Sequence, residues 1–224
     1  MLSVYTQVIE KKGFVLDISI NPIGAITERV DAGDLDQDEF SLLAHLARYA
    51  FVVRQCRGDE EIIEVGSGTG YGANFMAKHV KSVVAYEPFV EPQYLENKWV
   101  RGNLSFTKQL NLSQKYDKIV SLEVIEHMPR NEANDFIKLL ISLGKDNSIW
   151  FISTPRRLPD EERTENRKRA HPFEYNFEDF QILLQTHFEI THLFSQNDGL
   201  ISFQNSKMAW NFIAICTRPK LRES

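Results

Sequence analysis

Residues 61–78 read EIIEVGSGTGYGANFMAK, which is a short apolar segment followed by a glycine-rich turn and the start of a helical stretch. Glycines let the backbone turn sharply and approach a ligand closely, because they have no Cβ. A helix that begins directly after such a turn presents free N–H groups and the positive end of its dipole. The stretch therefore predicts a loop that binds a nucleotide-type cofactor at the end of a β-strand.

The spacing of these glycines distinguishes between two kinds of cofactor. A dinucleotide-binding fingerprint has its third glycine three positions after the second. Here that position is Tyr71, whose large ring would obstruct a pyrophosphate. The Glu-x-Gly-x-Gly-x-Gly order instead resembles motif I of class I S-adenosylmethionine (SAM) methyltransferases. The resemblance implies that SAM is the cofactor and that these residues surround its methionine end: Glu64, Gly66, Ser67, Gly68 and Gly70. In another interpretation, Glu64 is a structural carboxylate that bonds nearby backbone N–H groups.

Length and composition limit the class of protein. The chain has 224 residues, a length that favours one domain, with a cap or lid in residues 1–55 and a core in residues 56–224. Its net charge is −5. The acidic balance argues against a broad nucleic-acid-binding face. Cys56 and Cys216 have neither metal-binding nor disulfide-framework spacing. With no long apolar run and no leader-like segment, we expect a cytoplasmic protein without a membrane partner.

From residue 60 onward, short strand-like segments alternate with helical ones. The strand-like segments are 61–65, 82–87, 104–107, 118–122, 148–153, 188–194 and 209–217. The helical segments are 70–79, 92–100, 131–143 and 177–187. This alternation predicts an α/β fold with a doubly wound, mostly parallel, seven-stranded sheet of the Rossmann-like type, in which the last two strands extend the sheet in antiparallel fashion.

Two other segments are expected to cover the sheet or the site. Residues 36–55 form a predicted amphipathic helix, with an apolar face made of Phe40, Leu43, Leu46, Ala47 and Ala50. Residues 155–170 mix arginines and glutamates with two prolines. That composition predicts an exposed loop or lid.

Two residues are candidates for the nucleoside end of the cofactor. Glu87 ends the second predicted strand, at about the distance where a nucleotide-binding βαβ unit places the acid that binds the ribose hydroxyls. In many class I methyltransferases an acid after the third strand binds the adenine amino group. The corresponding residue here is Gln109, whose carbonyl oxygen could accept the same proton.

A second polar cluster follows the fourth predicted strand, where residues 121–129 read SLEVIEHMP. The carboxyl ends of parallel strands are where open α/β sheets bind ligands. His171 lies downstream in the segment HPFEY. Carboxylate and imidazole groups together suit Mg²⁺ or Mn²⁺, which predicts a divalent metal site made of Glu123, Glu126, His127 and His171. Such an ion would lower the pKa of a substrate hydroxyl.

The same residues allow interpretations without a metal ion. Glu123 could contact the cofactor, and His127 could pack, cap a helix or act as a general base, because its ordinary pKa lies near neutral pH. His171 by itself would be a structural histidine. In each catalytic interpretation, His127 and Glu123 are the expected catalytic residues.

Further motifs resemble bacterial class I methyltransferases that are found with sugar and cell-surface polysaccharide biosynthesis. They are the segments TER (27–29), HLARYAF (45–51), ISTPR (152–156) and HPFEY (171–175). The resemblance implies that Arg48 contacts the SAM carboxylate. It also implies that the methyl acceptor is an oxygen of a sugar, a glycan or another small diol, and no protein partner is evident.

The run Glu-x-x-Glu-His with a later histidine also resembles RNA 3′-terminal ribose 2′-O-methyltransferases and ubiquinone-pathway O-methyltransferases, which are associated with a divalent ion at these positions. RNA is therefore an alternative acceptor. Six basic residues could meet its phosphates: Arg156, Arg157, Arg163, Arg167, Lys168 and Arg169. Four acids dilute that charge, which favours a solvated loop: Asp160, Glu161, Glu162 and Glu165. A SAM-binding module without catalysis is a further alternative.

Overall fold

The structure is a computed structural model that describes residues 5–11, 14–20, 39–203 and 209–220, with side chains in 42–203 and 209–220. The motif predicted at Thr27–Arg29 and the side chain of Phe40 lie outside the described residues.

The strands of the described ranges form a two-stranded sheet and an eight-stranded sheet. In chain order they are β1 (Tyr5–Lys11), β2 (Phe14–Ile20), β3 (Glu61–Val65), β4 (Ser82–Tyr86), β5 (Leu104–Thr107), β6 (Tyr116–Leu122), β7 (Gly144–Pro155), β8 (Phe188–Asn197), β9 (Leu200–Ser202) and β10 (Asn211–Pro219). Strands β1 and β2 pair with each other in an antiparallel hairpin, and the others form the large sheet.

Among the helices of the described residues, five agree closely with the helical segments predicted from the sequence, and one, Glu165–Ala170, lies where a loop or lid was predicted. The helices are α1 (Glu39–Val53), α2 (Tyr71–Met76), α3 (Pro92–Lys98), α4 (Ala133–Ser142), α5 (Glu165–Ala170) and α6 (Phe177–His187), together with a 3₁₀ turn at Ile125–His127. Individual residues explain where two of the helices begin. Pro92 occupies the first turn of α3, where its missing N–H costs nothing. Asn176 caps α6 by accepting from the N–H of Asp179 at 2.7 Å.

The order of strands in the large sheet is β5-β4-β3-β6-β7-β10-β8-β9. Strands β3 to β7 run parallel, and β10 lies antiparallel between β7 and β8. From β3 the chain proceeds to one side of the sheet through β4 and β5, then returns to β6 beside β3 and proceeds to the other side. A crevice therefore opens between the carboxyl ends of β3 and β6, where such sheets bind ligands.

The predicted doubly wound α/β fold is confirmed, with one difference in the sheet. Strand β9 pairs antiparallel with β8 and adds an eighth strand to the predicted seven. It has only three residues, which is too short for a clear alternating pattern in the sequence.

Each face of the sheet buries its own apolar cluster. On one face, Phe136 of α4 and Phe180 of α6 pack with Ile63. On the other face, Tyr49 of α1 and Met76 of α2 pack in one cluster with Ile62. Neighbouring residues of β3 thus point to opposite layers, as the two-residue period of a strand requires.

The buried face of α1 differs from the predicted one. Leu43, which the apolar pattern placed inside, is 51% exposed, whereas Arg48, Tyr49 and Val52 are buried. The other predicted apolar positions of the described helix are only half-buried. The prediction was wrong because polar side chains of α1 point toward the glycine loop, and a hydropathy pattern assigns such residues to the surface.

The prediction of an irregular exposed segment at residues 155–170 is only partly correct. The segment contains helix α5, whose N-cap Thr164 accepts from the N–H of Arg167 at 3.2 Å. The side chain of Arg163 is only 13% exposed.

Residues 1–35, which show no clear pattern in the sequence, contain the β1–β2 hairpin. In the described part of the chain, no helix is long and apolar enough to cross a membrane.

Candidate functional site

The glycine loop follows β3 and needs glycines for steric reasons. Gly66, Gly68 and Gly70 all have positive φ angles, of 84°, 56° and 78°. A Cβ on Gly66 would lie 2.5 Å from a methyl group of Val124, and one on Gly70 would lie 2.7 Å from the Phe106 ring. A Cβ on Gly68 would meet no described atom within 4 Å. The loop is thus packed tightly at two glycines and open at the third.

Glu64 is buried directly before this loop. The Tyr49 hydroxyl donates a hydrogen bond of 2.6 Å to its Oε1 atom. Burial raises the pKa of the Glu64 carboxyl to about 8, with a further contribution from the charge of Glu87, while hydrogen bonds from Tyr49 and the backbone of Ala73 act in the opposite direction. The side-chain partner of Glu64 is therefore a hydroxyl on α1, which links this helix to the loop.

Glu87 lies directly after β4 and contacts the glycine loop. Its Oε2 atom accepts from the N–H of Gly68 at 2.8 Å, and its Oε1 atom accepts from the N–H of Phe89 at 3.0 Å. The predicted ribose acid thus lies at the predicted edge of the sheet, beside the glycine that is open to the crevice.

Arg48 is 1% exposed, and its guanidinium is incompletely paired. Its Nη1 atom donates to Gln196 Oε1 at 3.0 Å. Its Nε and Nη2 atoms have no hydrogen-bond partner among the described residues. The His45 ring donates to or accepts from the Tyr71 hydroxyl at 2.9 Å. Burial and then the Arg48 charge lower the pKa of His45 to about 3, so this ring is neutral.

Gln109 lies two residues after β5, at the same edge of the sheet, and is exposed. Its backbone N–H donates to Thr107 Oγ1 at 3.0 Å. Its predicted contact with adenine remains a prediction.

Glu123 follows β6 with a φ angle of 58°, which is unusual for a residue with a side chain. Its backbone N–H donates to Ser153 Oγ at 3.1 Å, and the Ser153 hydroxyl donates to Glu123 Oε1 at 2.5 Å. Asn211 of β10 donates to Glu123 Oε2. Residues from two neighbouring strands, β7 and β10, thus hold Glu123 in this conformation, and such held strain is common at functional sites.

Glu126, His127 and His171 form a compact cluster beside Glu123. One potential ligand atom from each of the three lies within 4.8 Å of the others. The two imidazole rings meet edge to face, with centroids 5.0 Å apart. Burial and then the charge of Glu123 raise the pKa of the Glu126 carboxyl to about 8. The structure therefore brings together three of the four predicted metal ligands, while the carboxylate of Glu123 bonds Ser153 and Asn211.

The two histidines are fixed by different acceptors. The Nδ1 atom of His127 lies 3.0 Å from the carbonyl oxygen of Ala170, and that of His171 lies 2.7 Å from Glu174 Oε1. The side chain of Glu174 is fully buried. Burial alone would raise the pKa of Glu174, but the hydrogen bond from His171 and the charge of Arg167 lower it below its ordinary value.

Several residues of this site had not been predicted from the sequence. They are His45, Tyr49, Ser153, Glu174, Gln196 and Asn211. Most of them contact the predicted residues across long separations in the chain, which no local pattern reveals. For Glu174 the sequence did contain a signal. Arg163, Arg167 and His171 repeat at intervals of four residues, and Glu174 follows three positions later.

This fold and this site define a class of protein. A doubly wound sheet with a glycine loop after its first parallel strand and an acid after the second is the architecture of class I SAM-dependent methyltransferase domains. The sequence profile of the family described as "Methyltransferase domain" matches residues 35–200. The chain belongs to this family.

Relatives and solved structures agree with this assignment. A probable SAM-dependent methyltransferase of Mycobacterium tuberculosis is 25% identical over 131 residues, which cover 56% of this chain and 46% of that protein. The chain thus spans about half the length of the curated relatives that it matches.

Among solved structures, the N-methyltransferase NodS of Bradyrhizobium japonicum, in complex with S-adenosylhomocysteine, is similar with a TM-score of 0.62 at 15% identity, over 83% of this chain and 91% of that one. The methyltransferase domain of a bacterial Hen1 protein has a TM-score of 0.61 at 16% identity, over 79% of this chain and 100% of that one. At these identities, the similarity shows the shared fold.

Proposed function

We propose that this chain transfers the methyl group of SAM to a hydroxyl oxygen of a sugar or another small diol, and that a divalent ion assists at Glu126, His127 and His171. The observation that carries the proposal is the convergence of these three side chains within 4.8 Å, at the carboxyl edge of the sheet that also carries the glycine loop. Family membership supports the use of SAM, and the acceptor and the ion are inferred from the site.

The residues around the glycine loop fit SAM. The buried Ser67 hydroxyl and two nitrogen atoms of Arg48 have no hydrogen-bond partner among the described residues. An amino-acid moiety would satisfy both, since its carboxylate pairs with a guanidinium. Glu87 is placed after β4 to accept from ribose hydroxyls, and Gln109 remains the proposed contact of the adenine. When bound, SAM supplies an electrophilic methyl group on a sulfonium.

The cluster beside Glu123 fits Mg²⁺ or Mn²⁺, since both ions bind carboxylate oxygens and Mn²⁺ also accepts imidazole. Glu126, His127 and His171 would hold the ion, and Glu123 would complete the set if it exchanged one of its present partners. When bound, a divalent ion supplies positive charge that lowers the pKa of an acceptor hydroxyl.

His127 also suits a role without a metal ion. A carbonyl oxygen can only accept a hydrogen bond, so the contact with Ala170 places the ring proton on Nδ1 and the lone pair on Nε2. His127 would then take the proton of the attacking hydroxyl through Nε2. In this scheme Glu123, held by Ser153 and Asn211, orients the groups around the nucleophile.

An RNA 3′-terminal ribose is the second candidate acceptor. The Glu-x-x-Glu-His run favours it, because the run resembles that of RNA 3′-terminal ribose 2′-O-methyltransferases. However, Arg163 and Arg167 pair with the buried Glu174, so two of the six basic residues are occupied within the protein. We therefore favour a small diol.

The test combines calorimetry with a methyl-transfer assay. We expect SAM to bind without a metal ion, and methyl transfer to a diol-bearing sugar nucleotide to require Mg²⁺ or Mn²⁺. The variant His127→Ala should keep SAM binding and lose transfer. His79→Ala is the matched control, because exposed His79 lies at the far end of α2 from the glycine loop. Full activity in His127→Ala would remove that residue from the mechanism, transfer only to RNA would select the other acceptor, and absence of SAM binding would refute the proposal.

A further inference from the structure

The His171 ring has a partner whose surroundings are unusual. Its Nδ1 atom lies 2.7 Å from Glu174 Oε1, and the Glu174 side chain is fully buried. A buried carboxylate is costly unless it is paired. The partners of Glu174 therefore determine its charge, and with it the direction of its hydrogen bond with His171.

Two arginines compensate the charge of Glu174. Arg167 Nε lies 2.6 Å from Oε1, and Arg163 Nε lies 3.4 Å from Oε2. Arg163 also donates through Nη2 to the backbone carbonyl of His171 at 2.9 Å. With two guanidinium groups against one carboxylate, Glu174 is ionised and can only accept hydrogen bonds. The proton between Glu174 and His171 then belongs to His171 Nδ1.

This assignment fixes the chemistry of the other ring nitrogen. When Nδ1 of a neutral imidazole carries the proton, Nε2 carries the lone pair and is the atom that can bind a metal ion or accept a proton. The carbonyl of Ala170 imposes the same tautomer on His127. Both acceptors, Ala170 and Glu174, lie in one short stretch at the end of α5.

We propose that Glu174 is a positioning residue, which holds His171 in the tautomer with a protonated Nδ1 and so presents the Nε2 lone pair to the cluster with Glu126 and His127. Arg163 and Arg167 keep the carboxylate in place, which gives these two arginines a role inside the site. A carboxylate that orients a metal-binding histidine in this way also raises its strength as a ligand. The effect on metal affinity rests on the proposed function, whereas the tautomer of His171 is a property of the metal-free protein.

The first test is the tautomer of His171 in the full chain without added metal. Long-range ¹H–¹⁵N spectra separate protonated from unprotonated imidazole nitrogens, and the signal of His171 is identified by its loss in His171→Gln. We expect the Nδ1–H form near neutral pH. The Nε2–H form in the wild-type protein would overturn the proposal, and this result does not depend on the folding of any variant.

The second test is Glu174→Gln, which keeps the shape and removes the charge. A neutral amide accepts more weakly, and its NH₂ group can donate to Nδ1 instead, so we expect His171 to move toward the Nε2–H form. Mn²⁺ affinity, measured by calorimetry, should fall about 10- to 100-fold, as is typical when such a partner of a metal ligand is lost. Lys168→Gln is the matched control, because Lys168 is exposed and pairs with the exposed Glu165.

The outcomes separate this proposal from the proposed function. An unchanged tautomer and unchanged Mn²⁺ affinity in Glu174→Gln would refute positioning by Glu174. If the wild-type protein shows the expected tautomer and Glu174→Gln changes it, but neither protein binds Mn²⁺ or Mg²⁺, the positioning role stands and the metal-assisted mechanism fails.

Discussion

The Arg48 guanidinium is buried and leaves two nitrogen atoms without a hydrogen-bond partner among the described residues. A bound carboxylate would satisfy them, and a hydrogen bond to a charged group is worth about 1.5–3 kcal/mol. We therefore predict that Arg48→Gln raises the Kd of SAM about 10- to 100-fold, as calorimetry would measure. Exposed Arg54, directly after α1, supplies the control Arg54→Gln, which should leave the Kd unchanged. Wild-type affinity in Arg48→Gln would place the SAM carboxylate elsewhere.

Glu64 should make the stability of the folded protein depend on pH. Burial raises the pKa of its carboxyl from 4.5 to about 8. Between these values the unfolded chain has lost the proton and the folded chain retains it, so the contribution of Glu64 to stability is complete below pH 4.5 and is lost as the pH rises to about 8. We predict that the free energy of unfolding of the wild type falls relative to Glu64→Gln by about 1 kcal/mol per pH unit in this range.

Urea unfolding of both proteins at pH 5, 6.5 and 8 would measure this difference. Glu64→Gln is a suitable reference, because the amide oxygen can still accept from the Tyr49 hydroxyl, which is 2.6 Å from Glu64 Oε1 in the wild type. Parallel curves for the two proteins across this range would show that Glu64 is ionised in the folded state.

Whether a site residue could be predicted from the sequence depends on the structural element that carries it. Glu87 directly follows a parallel strand, and Glu126 and His127 lie in the 3₁₀ turn shortly after another. The ends of those strands meet at one edge, so the placement of these residues was predictable. Asn211 reaches the same region through β10, and Glu174 reaches it through the segment that follows α5. The contact of Asn211 depends on the pairing of distant strands, which the local sequence does not encode. The partners of Glu174 are close in the chain, but their pattern does not show that the carboxylate is buried.

Gly68 and Gly102 allow a direct comparison between a glycine of the loop and one outside it. Gly68 has a φ angle of 56°, and a Cβ there would meet no described atom within 4 Å. We predict that Gly68→Ala costs about 1–2 kcal/mol of stability, because a side chain disfavours this backbone region. We also predict at least a tenfold weaker affinity for SAM, because in the proposed function the added methyl group would project toward the cofactor.

Gly102→Ala is the control for this substitution. Its Cβ would likewise meet no described atom within 4 Å, but Gly102 has no positive φ angle. Thermal unfolding and SAM titration should both be unchanged in this variant. A Gly68→Ala protein that loses stability but binds SAM normally would show that the loop does not contact the cofactor.

The elements themselves were predicted with uneven success, for identifiable reasons. The bounds of β3, β5 and α6 were predicted correctly, because apolar residues recur in them at strand or helix spacing and turn or capping residues flank them. The inward face of α1 was not, because it carries Arg48 and Tyr49, whose burial depends on partners such as Gln196 and Glu64. Buried polar networks of this kind are fixed by tertiary structure and not by periodicity.

Considered as one molecule, the protein has a charge distribution that bears on the choice of acceptor. The net charge is −5, and the stretch with most basic residues, 156–169, is interrupted by exposed acids. Arg163 and Arg167 pair with Glu174. The remaining basic groups of this stretch are too diluted to form a continuous phosphate-binding face, which agrees with a small acceptor.

Ionic strength should therefore separate the two acceptor classes. Binding of single-stranded RNA through phosphates weakens with salt, with a slope of about −0.7 per phosphate contact, so three contacts would cost roughly 20-fold between 50 and 200 mM salt. For a neutral small diol we predict that the KM of the acceptor changes by less than about twofold over the same range, since no counterions are released. Arg157→Gln, which removes an exposed basic group, should leave that KM unchanged as well. A steep salt dependence with single-stranded RNA as the acceptor, which becomes shallower in Arg157→Gln, would instead identify a phosphate contact and favour RNA.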